Sequence, residues 1–560
     1  MPTIRMFCVA VALVATACTP GTADTTTTAA NSLPSTPSST TSTTSPPDGF
    51  GGEIRIGVEG ALTSLNPFSE DFYVGASVAG NAVWATVYDI DPDTWEKIPD
   101  NVTSLPTQSG GGIVDNGDGT VTIQYQIAPR ATWSDGVPMT GADLAFTAEA
   151  MRDLALNGNP RVDPIMARVV DTDSVEQVAW VTFENPTLAV EDAMWIILPA
   201  HAVADSNLAT VDGLSWPSGG PFMIKNGDPT SMTRNPNYWK TDDAGRQLPY
   251  AASLSFVSVG SEGGVRFEEG AVDVVEVFSD DAVQGVEALE GAQVESVSTP
   301  LVEQITFNLT PTESPSDTVS LNSTRTFREA IAHAIDRSSL LESAAIPWDP
   351  ATPGILIPKG LSAWDQYQYD PAESRTLITS LESPTEPQSV LSTTINGHAR
   401  PAIANALEGA FAPIGVGYSM DLLDSVQFYG DTLPNGTFDL GMWAWENDGG
   451  FAATLAMLAR FDPAQGDRSF SGWGTQDDLN DAMTRFSELV VVANATMDVQ
   501  EFTAAVNEAE SILAADLPLI PLFNRMSHLA VRTDHLAGVV HNATSSGFTW
   551  NVESWQVAGQ

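Results

Sequence analysis

The chain has 560 residues and sets 71 Asp and Glu against 23 Lys and Arg, a formal net charge of −48 at pH 7. A surface this acidic excludes nucleic acid and anionic lipid as partners, because both are held by basic patches. The only cysteines, Cys8 and Cys18, precede the main body, which therefore has no disulfide or thiol chemistry and must rest on a large core spread over two or three lobes.

Met1–Arg5 carries one positive charge, Phe7–Ala17 is apolar, and Ala15-Thr-Ala-Cys18 closes that run with small residues. The run is too short for a membrane span, which takes roughly 20 apolar residues, and it reads as a secretory signal. The placement of Cys18 resembles a bacterial lipobox, whose cysteine becomes the diacylglyceryl-modified first residue, although Ala15 stands where Leu is usual. An ordinary cleaved signal is the alternative. Residues 19–48 are almost entirely Thr, Ser, Pro, Ala and Gly. That composition cannot bury enough apolar surface to offset chain entropy and predicts a disordered, extended tether.

Beyond the tether, Gly51-Gly-Glu-Ile-Arg-Ile-Gly57 reads as a first strand, followed by a turn at Ser64-Leu-Asn-Pro67. Asp115-Asn-Gly-Asp-Gly-Thr120 lacks the register of a calcium loop and suits a hairpin turn, since Asn-Gly and Asp-Gly are favoured there. The alternation in Val121–Ile127 suits a half-buried strand. Trp133-Ser-Asp-Gly136 is turn chemistry, and Thr140 with Asp143 makes a capping box ahead of apolar Leu144, Ala145 and Phe146. Further on, Phe327–Arg337 predicts a helix with Phe327, Ala330, Ile331, Ala334 and Ile335 on one face.

The string Ala131–Met151, ATWSDGVPMTGADLAFTAEAM, closely resembles the WSDGxPxTAxDV signature of the family 5 extracellular solute-binding proteins, with Gly141 for the usual Ala. The resemblance continues in order along the chain. Ser64–Pro67 is similar to the family's SLDP turn, and Val87–Thr94 with Ile98-Pro-Asp100 to its ydpdtg…Pdla segment. Ser218–Phe222 stands at GTGPY, Arg234–Trp239 at RNPxYW, and Phe267–Val274 at l.sGevDv. Phe327–Arg337 resembles vRqAlayAIDR, and Asp516–Leu522 resembles aPviPly.

That resemblance implies an α/β, two-lobed, periplasmic-binding-protein-like fold of type II, with an extra inserted domain, closing over a central ligand cleft. It places a discontinuous first lobe at 49–90, 191–297 and 523–560, the inserted domain at 91–190 and the second lobe at 298–522. It implies a non-enzymatic receptor that captures a peptide by hinge closure and delivers it to the permease and ATPase subunits of an ABC importer. The receptor would be exported and held by a lipid at Cys18 on the outer face of the cell membrane, or be periplasmic. It would be monomeric and need no cofactor or metal. Two alternatives stay open: the same role with a metal chelate, oligosaccharide, opine or other small cation as ligand, and a ligand sensor that transports nothing. The acidic surface fits either salt adaptation or weak steering of cationic ligands.

For the site, the resemblance points to Phe438–Asp448. In peptide-binding relatives the last Asp of a similar segment pairs with the peptide's α-ammonium, which places that role on Asp448 and a ligand-lining role on Trp445. Independently, a buried carboxylate needs a cationic partner, and a ligand ammonium can be one. Trp443 shares a face with Trp445 if the segment is a strand, and both indoles could equally be core. Glu446 adds a second acid, and Gly449-Gly450 replaces the usual continuation. The resemblance adds Asp71, Phe72 and Tyr73 as a second wall, and Phe523 and Asn524 near the hinge, with core packing as the alternative for each.

Enzyme readings find no support. No G-x-S-x-G elbow, Walker loop or H-E-x-x-H is present. The histidines (His201, His333, His398, His528, His535, His541) never fall at the i, i+4 spacing of paired metal ligands.

Overall fold

The computed structural model describes residues 50–558 apart from 73, 311–320, 347, 350–352, 358–362, 382–385, 396–398, 467 and 476–479. The expected signal, Cys18, the tether and Tyr73 therefore lie outside the described residues.

A ten-stranded sheet organises the molecule. In chain order its strands are β1 (Glu53–Val58), β2 (Phe222–Lys225), β3 (Asp228–Arg234), β4 (Ser253–Ser258), β5 (Val274–Val277), β6 (Ala292–Phe307), β7 (Gln388–Thr394), β8 (Gly417–Leu423), β9 (Leu440–Glu446) and β10 (Leu519–Arg532). In space they run β2-β3-β4-β1-β5-β10-β6-β9-β7-β8. The two longest strands, β6 and β10, are neighbours inside the sheet, with five strands on one side of the pair and three on the other.

The register of this pair changes along its length. Ala292–Ser298 of β6 pairs with Met526–Arg532 of β10, and Val302–Thr306 pairs with Leu519–Asn524, with the ladder interrupted between Ser298 and Val302. On one side of this interruption β10 pairs with β5 through His528–Val531. On the other side β6 pairs with β9 through Leu301–Phe307. Pro300 falls in the interruption and has no N–H for a ladder. The half of the pair next to β9 is buried on both faces, with Val302, Ile305, Phe307, Leu519, Ile520, Leu522 and Phe523 in the core. This is the two-lobed α/β architecture expected from sequence.

A separate four-stranded antiparallel sheet orders Ile113–Asp115, Thr120–Gln126, Val178–Glu184 and Val169–Val175. The predicted hairpin joins the first two of these strands, with Gly117 and Gly119 at φ 72° and 89°. Helix α1 (Gly141–Leu156) packs on this sheet. At its start one Asp143 oxygen accepts the Thr140 N–H at 2.9 Å, and the other accepts the Ala200 N–H at 3.0 Å. The capping carboxylate therefore also ties the helix to the chain leaving the small sheet.

The predicted 327–337 helix ends early. It spans Arg325–Ala334, and Asp336 then caps a new helix, accepting the Ser339 N–H at 3.2 Å. Arg328 is buried on it because its guanidinium donates to the carbonyls of Asp516, Asn322 and Ser323.

Candidate ligand cleft

Where β9 ends, the chain is pinned before it turns. The buried Asn447 donates its backbone N–H to the Pro300 carbonyl at 3.0 Å, inside the register interruption. Its amide donates to the Ile355 and Leu356 carbonyls at 3.3 and 3.1 Å. The same short segment is held from its other side by Glu510 of helix α2 (Val499–Asp516). That carboxylate accepts the N–H groups of Ile355, Leu356 and Ile357 at 2.9, 2.6 and 3.2 Å, and the Trp364 indole at 2.5 Å. Asp448 is thus launched from a fixed base.

The Asp448 carboxylate accepts the Gly450 N–H at 2.9 Å, just before helix α3 (Phe451–Phe461). A second carboxylate reaches the same helix start from a distant part of the chain. Asp192 accepts the Ala452 N–H at 2.7 Å and pairs with Lys97. The Lys97 ammonium also donates to the Glu191 carbonyl at 3.3 Å and lies 4.6 Å from the Tyr88 ring centre. Gly450 separates the two acids, since a Cβ there would sit 3.1 Å from an oxygen of each.

Burial and neighbouring charge govern this cluster. Burial raises the Asp448 carboxyl above its usual range, with Asp192 adding to the rise and the Gly450 N–H and Lys97 opposing it. Burial and then Asp192 push Glu191 up to about 7. Glu446 is exposed at the end of β9, and partial shielding of its carboxyl and then Asp448 raise it. Lys97 is the cation that enters the balance of both Asp448 and Glu191. An arriving ammonium would relieve the excess of negative charge.

The sequence-predicted residues are distributed unevenly around this point. Trp445 is half-buried, stacked on Phe470 with centroids 6.3 Å apart and an interplanar angle of 10°, and the Arg460 guanidinium lies 4.1 Å from its ring centre. Trp443 is only 1% exposed, with edge contacts to Phe428, Phe438 and Phe470. Asp71 is exposed. Phe72 packs in a first-lobe core against Trp84, which edges onto Trp195 near Asp192. Phe523 is wholly buried against Trp348. The Asn524 amide donates to the Thr299 carbonyl at 3.0 Å, tying β10 to the interruption in β6.

Sequence reasoning passed over Lys97, Asp192, Glu191 and the buried Glu303. The usable signal was the scarcity of lysine: Lys97 is one of four, with Lys225, Lys240 and Lys359. Glu303 of β6 is fully buried and bridged by Arg400 at 2.8 Å and by Arg525 at 2.7 and 2.5 Å. Burial alone would raise its pKa, but the guanidinium groups of Arg525 and Arg400 outweigh it and hold the carboxyl below its ordinary value. Among the described residues no group of three or more His, Cys, Asp or Glu could hold a metal ion, and no helix is long and apolar enough to cross a membrane.

Comparison with known proteins places these features. Residues 112–466 match the family model described as bacterial extracellular solute-binding proteins, family 5 middle. The chain is 23% identical over 476 residues to the oligopeptide-binding protein OppA of Mycobacterium tuberculosis, covering 78% of this chain and 74% of that protein. Its fold superposes with a TM-score of 0.72 on a periplasmic EDTA-binding protein, EppA, at 19% identity, covering 91% of this chain and 97% of the other. It superposes with a TM-score of 0.62 on the oligopeptide-binding protein AppA of Bacillus subtilis, solved with a nonapeptide, at 15% identity and covering 92% and 100%.

Proposed function

Because the chain belongs to the bacterial extracellular solute-binding proteins of family 5, we propose that it captures peptides between its two lobes and delivers them to the permease of an ABC importer. The observation that carries this reading is Asp448. It is a carboxylate raised by burial, fixed at the end of β9, where a side chain from outside the second lobe meets the same helix start. A peptide's α-ammonium would supply the missing positive charge in a water-poor site. Trp445 would line the ligand beside it. Asp71, Phe72 and Tyr73 would form the facing wall, and Phe523 and Asn524 would shape the hinge side.

On this reading the ladder interruption at Ser298–Val302 is the hinge, and binding energy shifts the protein toward its closed state. The lobes run 49–90, 191–297 and 523–560 for the first and 298–522 for the second, with the inserted domain at 91–190. The protein catalyses nothing itself. It is exported behind a signal ending at Cys18, anchored there by lipid on the outer face of the cell membrane, and works as a monomer on the 19–48 tether. A small non-peptide cation is the second reading, supported by the three further acids, Asp192, Glu191 and Glu446, that enter the electrostatics of the Asp448 site.

Native mass spectrometry of gently purified protein, followed by denaturation, tests the ligand class. Release of a ladder of short peptides that Asp448→Ala reduces or abolishes is the expected outcome. A single non-peptide mass would replace peptide with that molecule. Peptides indifferent to Asp448→Ala would remove the carboxylate from the site.

A further inference from the structure

Ten buried side-chain nitrogen and oxygen atoms among the described residues have no hydrogen-bond partner, and six of them lie together. They are both amide atoms of Gln304, the Thr306 and Ser392 hydroxyls, and the indole N–H groups of Trp443 and Trp445. Strand register puts all of them on one face of the second lobe's sheet. Gln304 lies opposite Trp443, Val302 opposite Trp445, and Thr306 and Ser392 both beside Gly441. Gln304 and Ser392 are 0% exposed and Thr306 is 1% exposed. The Trp443 ring folds over Gly441, where any Cβ would lie 2.5 Å from it. An apolar side chain of similar shape would pack at each position without an unmet hydrogen bond, so three such polar residues and an indole pair on one face call for a partner the chain does not supply.

The outer edge of this face is partly open. Trp445 and Phe470 are its half-buried members, and Phe470 holds φ at 59°, a left-handed conformation that an aromatic residue keeps only where its surroundings impose it. Trp445 also stands on the strand that runs out to Asp448. The face therefore begins where the proposed ammonium site ends.

We propose that this face is a second ligand subsite, taking an uncharged hydrogen-bonding side chain (a primary amide or a hydroxyl) of the molecule whose ammonium Asp448 holds. The inference rests on the peptide reading above. Its chemistry follows from the groups present. The Gln304 amide offers one donor end and one acceptor end, which a second primary amide complements, while the indoles donate and the hydroxyls do either. None of these groups is charged, so a carboxylate or ammonium would be desolvated there without a counter-ion. An aliphatic group would leave every polar atom unmet.

Titration calorimetry with tripeptides carrying one Gln, Asn, Ser or Leu at each position in turn tests this, using wild type, Gln304→Leu and Asp448→Ala. At one position wild type should prefer Gln or Asn over Leu by about tenfold or more, because a site built to hydrogen-bond rejects the analogue that cannot. Gln304→Leu should bring that ratio near one, whereas Asp448→Ala should weaken all the peptides together. Absence of any preference, or a preference that survives Gln304→Leu, overturns the subsite and leaves the ammonium site standing. Should Asp448→Ala change nothing while the preference follows Gln304, the ammonium reading falls and the subsite stands. If no peptide binds, the peptide reading fails and the subsite that rests on it falls with it.

Discussion

The Asp192 carboxylate accepts the backbone N–H of Ala452 at 2.7 Å, so a side chain 260 residues away in sequence caps the first turn of α3. Gly450, at the cap position itself, has no side chain to do this. The cap therefore exists only when the two parts of the molecule are together. Asp192→Ala should remove the cap and release Lys97, weakening the closed form by about 1 kcal/mol, or roughly fivefold in ligand affinity. Hydrogen exchange at the first turn of α3 is the direct readout. Protection at Ala452 that is unchanged in the variant would show that the helix start does not depend on this contact.

Asp448 should behave oppositely in the free and the bound protein. Its carboxyl is raised by burial, so Asp448→Asn removes an unfavourable buried charge and should leave the ligand-free protein as stable or more so at neutral pH. Peptide affinity should fall by about 2 kcal/mol or more, roughly thirtyfold, for loss of one partner of a buried charge pair. Melting curves and calorimetry on the same sample separate the two effects.

The pH dependence of stability should carry the signature of Glu191. Its folded value of about 7 lies above its ordinary 4.5, so the folded state keeps a proton that the unfolded chain has released across that window. The stabilisation tied to this proton is complete below the unfolded value and is lost as pH rises through the folded one. Glu191→Gln should therefore flatten the decline in melting temperature between pH about 5 and about 8. A variant with the wild-type slope would assign that decline to other buried acids.

Glu303 presents the reverse case. Two arginines from different elements, α-helical Arg400 in Ala399–Phe411 and Arg525 of β10, meet on one wholly buried carboxylate. Glu303→Gln leaves both cations poorly compensated beside the interruption in β6. The expected cost is about 3–5 kcal/mol of unfolding free energy in denaturant titration, as for other buried pairs that lose one member. A loss below about 1 kcal/mol would mean the pair behaves like an exposed one.

Legibility in the sequence follows the range of the interactions. The Thr140–Asp143 cap and the Asp115–Thr120 hairpin were readable because both are made within a few residues. The early stop of the 327–337 helix was not, because Asp336 looks like a helix interior residue until its side chain is seen turned onto Ser339. Trp443 and Trp445 do share a face, as strand alternation predicts. Phe428 and Phe438 pack on Trp443, and no local pattern discloses that they shut in Trp443 and leave Trp445 half open. Asp192 was invisible for a different reason. In a chain with 71 acidic residues, one more carries no signal until a helix start is found resting on it.

The placement of β10 between β5 and β6 governs the order of assembly. Both neighbours are complete by residue 307, yet the strand that joins them is residues 519–532. It follows every other strand of the sheet in the chain. Until it is in place each half of the sheet keeps an open edge, with the backbone donors and acceptors of β5 unpaired on that side. The lobes are therefore completed in one late event, and a chain truncated before residue 519 would lose the closure of both lobes at once.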